Sequence, residues 1–156
     1  MKFNNPTWLV ALGSLAVLVG CGGGGGGSTT STPAPGIGVS GTAAVGYPIA
    51  NSTVSLKCSS GATATATTAT NGTWSVSIPS GAAPCIVRVS GGTANGVALT
   101  APVHSILQSA GTVNVTPLTD LIVAKLAGQS PASWFNSVSG SQLAAITPAN
   151  ISTALS

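Results

Sequence analysis

Apolar and polar residues alternate along several short stretches of the chain from Ile37 onward. In the clearest of these, every second side chain is apolar, which predicts a β-strand with one buried face. The Asn-Gly pairs at 71–72 and 95–96 are typical of tight hairpin turns. The pattern predicts about seven short strands. The predicted stretches include residues 53–58, 62–68, 73–78, 85–90, 97–107 and 112–115.

No helical pattern separates these strands, and the turns between them are short. Strands this close together pair with their neighbours in sequence, which makes them antiparallel. The sequence therefore predicts a mainly β protein, with an antiparallel β-sandwich of the Ig-like kind over residues 37–116 and short α-helices after it.

The apolar spacing changes after Thr116. Thr116-Pro117 is typical of a helix start and Gly128 of a helix end. Ser130-Pro131 and Thr147-Pro148 repeat the start signal, which predicts a short helical region over 117–156. Either these helices pack on the sandwich, or the sequence is the front of a longer protein; we expect the second. The predicted apolar face of the first helix consists of Leu118, Leu121, Ile122 and Leu126.

An export signal is predicted at residues 1–20. Lys2 supplies the positive start, and the uncharged run at 7–19 is too short for the roughly 20 residues of a membrane-spanning helix. Its ending, Leu18-Val19-Gly20-Cys21, resembles the signal of bacterial lipoproteins, which implies that Cys21 becomes the first residue and carries the lipid. An ordinary export signal with a chance cysteine is the alternative.

Residues 21–36 read as this lipidated cysteine followed by a tether. Six consecutive glycines and a stretch rich in Ser, Thr and Pro have few side chains to bury. Gly22 is not the Asp that resembles an inner-membrane retention signal. We therefore expect attachment to the outer membrane of the cell envelope, with the covalent lipid as the only added group and no separate cofactor.

Two further cysteines, Cys58 and Cys85, occupy apolar positions in the alternation of their own strands, so both side chains are expected to face inward. We call this shared odd or even position along a strand its parity. An exported protein meets an oxidising compartment, so a disulfide between them is expected. Two buried free thiols are the alternative. Lys57 and Arg88 have the opposite parity and are expected on a solvated face.

The residues from Val39 to about Gly92 also resemble a known family. Gly46-Tyr47-Pro48-Ile49-Ala50 and Asn71-Gly72-Thr73-Trp74-Ser75 carry the resemblance, which is to the carboxypeptidase regulatory-like domain. The resemblance implies a prealbumin-like sandwich related to the collagen-adhesin B-type repeats. It also implies a stalk or accessory module, since members of the family are mostly non-catalytic.

The composition argues against several kinds of function. Charged residues are 3% of the chain, against about a quarter in a typical soluble domain. Four Lys and Arg are too few to neutralise a nucleic-acid backbone, so no nucleic-acid partner is expected. A glycosidase needs two carboxylates and a metal site three or four ligands, whereas the chain has one Asp and one His. No metal and no catalytic residue are predicted.

A serine hydrolase remains formally open, because His104, Asp120 and many serines are present. No Gly-x-Ser-x-Gly motif supports it, and we expect His104 to be a hydrogen-bonded structural residue. The Trp134-Phe135 pair is the candidate contact for a carbohydrate or an envelope protein; covering the sheet is its alternative role. The sequence thus predicts a non-catalytic, structural or adhesive lipoprotein of the cell envelope, with ligand binding second.

Overall fold

The structure, a computed structural model, describes residues 35–156, so the predictions for the export signal, Cys21 and nearly all of the tether lie outside the described residues. Ten strands precede four helices. The strands are β1 (Gly36–Thr42), β2 (Ile49–Ala50), β3 (Thr53–Cys58), β4 (Thr63–Thr67), β5 (Thr73–Pro79), β6 (Cys85–Ser90), β7 (Thr93–Ala94), β8 (Val97–Ala98), β9 (Val103–Leu107) and β10 (Gly111–Thr112). The helices are α1 (Pro117–Ala127), α2 (Pro131–Ser137), α3 (Gly140–Ala144) and α4 (Pro148–Leu155).

The strands form two main sheets, in the orders β4-β3-β6-β9 and β10-β1-β5, and a small third one, β2-β7-β8. All pairs are antiparallel except β1 with β10. The predicted fold class, mainly β with antiparallel sheets and short helices after them, is confirmed. The predicted strand at 97–107 is divided into β8 and β9, because the chain between them, which includes Pro102, does not pair.

The core between the sheets consists of the apolar side of each alternating strand. Burying these side chains is the main favourable contribution to folding. Trp74 is among them, as its parity predicts. The largest members of this core are Val39, Ile49, Val54, Leu56, Trp74, Ile78, Val87, Val89, Val103, Leu107, Val113 and Val115.

Cys58 and Cys85 are direct register partners on β3 and β6, and they form a disulfide. Both residues are buried in the core. The predicted disulfide is confirmed, and the alternative of two free thiols is wrong. The bond closes a sequence separation of 27 residues. By the chain-entropy estimate, such a loop contributes about 3–4 kcal/mol to the free energy of unfolding.

The helical region packs on the outer face of the β4-β3-β6-β9 sheet. Its apolar side chains surround Ile86, which points away from the sandwich core and is nevertheless fully buried. Our expectation that these helices belong to a longer protein rather than to the sandwich is therefore wrong as regards their packing. The second apolar cluster consists of Ile86, Val123, Trp134, Phe135, Leu143 and Ile146.

The helix starts lie where the sequence predicts them. Thr116, Ser130 and Thr147 are N-caps whose side chains accept a hydrogen bond from the third helical residue, and a proline follows each of them. Gly128 ends α1 with φ 64°, the left-handed conformation that glycine adopts without strain. No helix within residues 35–156 is both long and apolar enough to cross a membrane.

The predicted apolar face of α1 is correct only in part, because Leu126 packs against the second apolar cluster whereas two of the other predicted residues point outward. Leu118 and Leu121 are 65% and 66% exposed, whereas Val123 is fully buried. The reason is polar: the side chains of Thr119 and Asp120, on the same side of the helix as Val123, are hydrogen-bonded to β9. These bonds fix which side of α1 faces the sheet, and the two leucines consequently point outward.

Candidate functional site

Four ionisable side chains lie close to one another on the outer face of the β4-β3-β6-β9 sheet, and three of them surround one aromatic ring. The four are Lys57 from β3, Arg88 from β6, His104 from β9 and Asp120 from α1. We call these four residues, with Phe135 of α2, the interlayer cluster. The described chain has only one other charged side chain, that of Lys125. This convergence, in a protein so poor in charge, makes the cluster the candidate functional site.

The strand register brings the polar members of the cluster together. Arg88 and His104 are direct partners across β6 and β9, so their side chains lie on the same face of the sheet. On β3, Lys57 points to that face too, since it pairs with the outward-facing Ile86. Parity alone places these side chains on one face, and the sequence predicts that much.

Phe135 lies among the cationic side chains. The guanidinium carbon of Arg88 is 4.2 Å from the centre of the ring, and the Lys57 Nζ is 4.8 Å from it. Both distances are in the range of a cation–π interaction. Lys57 Nζ also donates hydrogen bonds to the backbone oxygens of Phe135 at 2.7 Å and Asn136 at 3.5 Å. The sheet therefore holds α2 by its side chain and by its backbone.

His104 links the sheet to α1. Its backbone N–H donates to Asp120 Oδ1 at 2.8 Å, and its ring Nδ1 lies 2.8 Å from the same oxygen. Because an ionised carboxylate only accepts, the ring proton is assigned to Nδ1. Thr119 Oγ1 donates to the His104 carbonyl oxygen at 2.8 Å. The expectation that His104 is a hydrogen-bonded structural residue matches this geometry.

Burial lowers the pKa of His104 below its ordinary value of about 6.5. The hydrogen bond and the negative charge of Asp120 oppose this shift, while the positive charge of Arg88 adds to it. The imidazole is therefore neutral at pH 7. The carboxylate of Asp120 is 30% exposed, so the pair lies at the rim of the interface between the sheet and the helices.

The His104–Asp120 pair has the arrangement of two members of a Ser-His-Asp triad. The third member would place a serine oxygen within hydrogen-bonding distance of the histidine Nε2. Here Nε2 is buried and makes no hydrogen bond to any residue in the range 35–156. The same range contains no group of three His, Cys, Asp or Glu side chains that could hold a metal ion. Within these residues, the cluster joins two layers and has no assembled triad.

The structure places the other predicted site residues as follows. Trp134 and Phe135 are 5% and 3% exposed, so the prediction that this pair is available for a ligand is wrong. Their alternative role, covering the sheet, fits the structure, because both side chains are buried in one cluster with Ile86 of β6. Lys57 and Arg88 are half-buried rather than fully solvated, because the Phe135 ring of α2 packs against both.

The interlayer cluster itself is the site that the sequence analysis missed. Parity predicts that Lys57 and Arg88 share a face, and the helix start at Thr116-Pro117 predicts Asp120 in the first turn of α1. A count could have joined them. Apart from Lys125 in the last turn of α1, the described chain has two positive side chains and one adjacent aromatic pair for which the sequence predicts no partner, and it has one helical region whose packing is open.

Comparisons with known proteins add little. The chain matches no family profile and no curated protein. Among solved structures, it is similar to a DUF3823 family protein from Bacteroides ovatus, with 14% identity and a TM-score of 0.33. The match covers 53% of this chain and 44% of the other, so it spans less than half of that protein. A likeness this low carries no argument about function.

Proposed function

We propose that this protein is a non-catalytic, structural or adhesive module of the cell envelope, anchored in the outer membrane by a lipid on Cys21. The anchor rests on the sequence Leu18-Val19-Gly20-Cys21 behind a short apolar run. One structural observation supports it most: Cys58 and Cys85 are bonded to each other, so Cys21 is the remaining cysteine of the three in the chain. A buried disulfide also suits an exported protein.

The described part of the chain fits a displayed module. Its β-sandwich agrees, at the coarse level of fold class, with the carboxypeptidase regulatory-like resemblance, which does not extend to the helices, and from that resemblance we propose a stalk or accessory role. Two or three acyl chains, at about 0.8 kcal/mol for each buried methylene, are needed for stable attachment. The proposal therefore requires the full lipoprotein modification at Cys21.

Substitution of Cys21 tests the anchor directly. In cells fed radioactive palmitate, the unmodified chain is expected in the membrane fraction and labelled, because Cys21 is the site of acylation. Cys21→Ala is expected to leave the membrane fraction and to lose the label. Ser28→Ala, in the same tether, is the matched control and should behave like the unmodified chain. Labelled or membrane-bound Cys21→Ala protein would contradict the proposal.

Carbohydrate binding is the second candidate, and the burial of Trp134 and Phe135 changes where it would occur. Among the aromatic residues of the described chain, Tyr47 alone is exposed, and an exposed aromatic ring can stack on a sugar. Tyr47→Ala is expected to abolish co-sedimentation with purified peptidoglycan sacculi. Leu118→Ala, equally exposed but aliphatic, is the control. Unchanged sedimentation of Tyr47→Ala would contradict this candidate.

A further inference from the structure

Two of the longer edge strands of the described chain, β4 and β5, carry no charged residue, and they lie next to each other. Edge strands expose unpaired backbone groups, and proteins usually guard them with charged residues, proline, short length or a covering element. Here α1 packs against β9, β10 has two residues, and β5 ends in Pro79. By contrast β4 is five residues of alternating Thr and Ala, from Thr63 to Thr67, with neither charge nor proline.

The hydrogen bonds around β4 identify its free backbone groups. Cys58 N–H donates to the Ala62 oxygen at 2.9 Å, and Thr68 N–H donates to the Ser52 oxygen at 3.0 Å. Alternate residues of an antiparallel strand bond to the same neighbour. In the register with β3, Ala64 and Ala66 therefore bond inward, whereas the N–H and C=O groups of three threonines point away from β3. These three are Thr63, Thr65 and Thr67.

We propose that β4 pairs with β4 of a second copy of this chain, antiparallel and about a two-fold axis. In this register Thr65 lies opposite Thr65 of the second copy, and Thr63 lies opposite Thr67 of the second copy. In each such pair, the unpaired backbone N–H and C=O groups of one copy face those of the other copy, so both N–H···O bonds of the pair form. The two four-stranded sheets then continue as one.

The side chains of β4 favour a second copy as the occupant. The three threonines are exposed and share one face, so the two-fold axis sets threonine opposite threonine, a pair that stabilises antiparallel strands. The other face carries only Ala64 and Ala66, which are too small to obstruct the approach. No like charges meet at the axis. Because the two-fold arrangement uses the free edge of β4 in both copies, that contact closes at a dimer.

A single cysteine detects this geometry. Opposed residues of a hydrogen-bonded antiparallel pair have Cα atoms about 5.5 Å apart, within the range for a disulfide. In intact cells producing the full chain, mild oxidation is expected to convert Thr65→Cys into a species of twice the monomer mass on a non-reducing gel. The unmodified chain and Thr112→Cys, on exposed β10 of the other sheet, should stay monomeric.

Three results would overturn the proposal: no dimer of Thr65→Cys, a dimer that is equally abundant for Thr112→Cys, or a crosslink of Thr65→Cys to a different protein. A charge test is independent of crosslinking. Two differently tagged copies that both carry Thr65→Lys should no longer co-purify, because like charges meet at the axis, while Thr65→Lys paired with Thr65→Glu should recover co-purification. If the mixed pair fails as well, β4 is not the interface. Both experiments leave Cys21 unchanged, so the inference does not rest on the proposed function.

Discussion

Both faces of the β4-β3-β6-β9 sheet pack against another layer, with opposite kinds of side chain, although on the outer face the helices cover β6 and β9 and leave the threonines of β4 exposed. The inner face, with Val54, Leu56 and Val87, packs on the second sheet and is apolar except for the buried Ser105 of β9. The outer face carries Lys57, Arg88 and His104 beside Ile86, and the helices cover it. Alternation therefore separates the two faces of a strand, but it does not tell which face is solvated.

The difference has a physical cause. Apolar side chains are buried by any surface that excludes water, so the inner face needs only the second sheet. A buried charge needs a specific partner, since an unpaired one is costly. On the outer face those partners are the Phe135 ring, two backbone oxygens and the carboxylate of Asp120. The outer interface thus depends on particular contacts more than the inner one does.

Removal of the Phe135 ring is expected to have the largest effect. Phe135→Ala leaves a cavity between α2 and the sheet and takes the cation–π partner from Lys57 and Arg88. We expect the free energy of unfolding to fall by about 3–5 kcal/mol. Urea unfolding of the full chain measures it. Leu121→Ala, an exposed apolar residue of α1, is the control, with an effect within about 0.5 kcal/mol. A loss below about 1 kcal/mol for Phe135→Ala would show that the outer layer contributes little.

The second prediction concerns the inner face and the contribution that the disulfide makes to its stability. The double substitution of Cys58 and Cys85 by Ala should lower the free energy of unfolding by about 3–4 kcal/mol, mainly because the unfolded chain gains freedom. Urea unfolding with and without reductant gives the same quantity for the unmodified chain, and the two values should agree. If reductant has no effect under conditions where the thiols are shown to be free, the disulfide does not stabilise the inner face.

Gly140 tests how closely the helices approach the sandwich. A Cβ atom on this residue, at the start of α3, would overlap the backbone oxygen of Ser59. Alanine favours helices over glycine, yet Gly140→Ala is expected to destabilise by about 1–3 kcal/mol because the contact is too tight. Thermal unfolding checks the sign. The control is Gly38→Ala on β1, where the added Cβ meets nothing within 4 Å. Stabilisation by Gly140→Ala would mean that α3 sits farther from the sheet.

The smallest expected effect is a dependence of the free energy of unfolding on pH, which arises from His104 on the outer face. The pKa of His104 is lowered in the folded state by burial, so the unfolded chain binds more protons below the ordinary pKa of about 6.5. Stability should then be constant above that pH and fall as the pH decreases below it. The chain has one histidine, so urea midpoints of His104→Gln measured between pH 5 and 8 should lose this slope. An unchanged slope in His104→Gln would contradict the assignment.

Most of the inner architecture could be predicted from the sequence. Period-two alternation identified β3, β5 and β6, and parity identified the pairing of Cys58 with Cys85. Helix starts were equally readable, because a capping side chain and the following proline act within one turn. These signals are local, or they compare strands whose alternation is regular. They do not depend on how the layers are arranged.

The candidate site could be predicted only in part. Residues Lys57 and Arg88 belonged to one face by parity, but the partner of that face could not be read from the chain. The rotation of α1 was predicted from its leucines, whereas the structure sets it by the bonds of Thr119 and Asp120 to β9. A polar contact between residues far apart in sequence leaves no periodic signal, so apolar spacing placed Leu118 and Leu121 on the wrong side of the helix.

The sequence by itself determined the fold class, the strands and their inward faces, the disulfide and the helix starts of this protein. Each of these follows from local backbone preference or from alternation. Only the tertiary structure decided that Trp134 and Phe135 cover the sheet, that the scarce charges converge beneath them and that Leu118 and Leu121 face outward. The physical reason is that burial of a strand's polar face depends on which element packs over it, and that choice is made by contacts between layers.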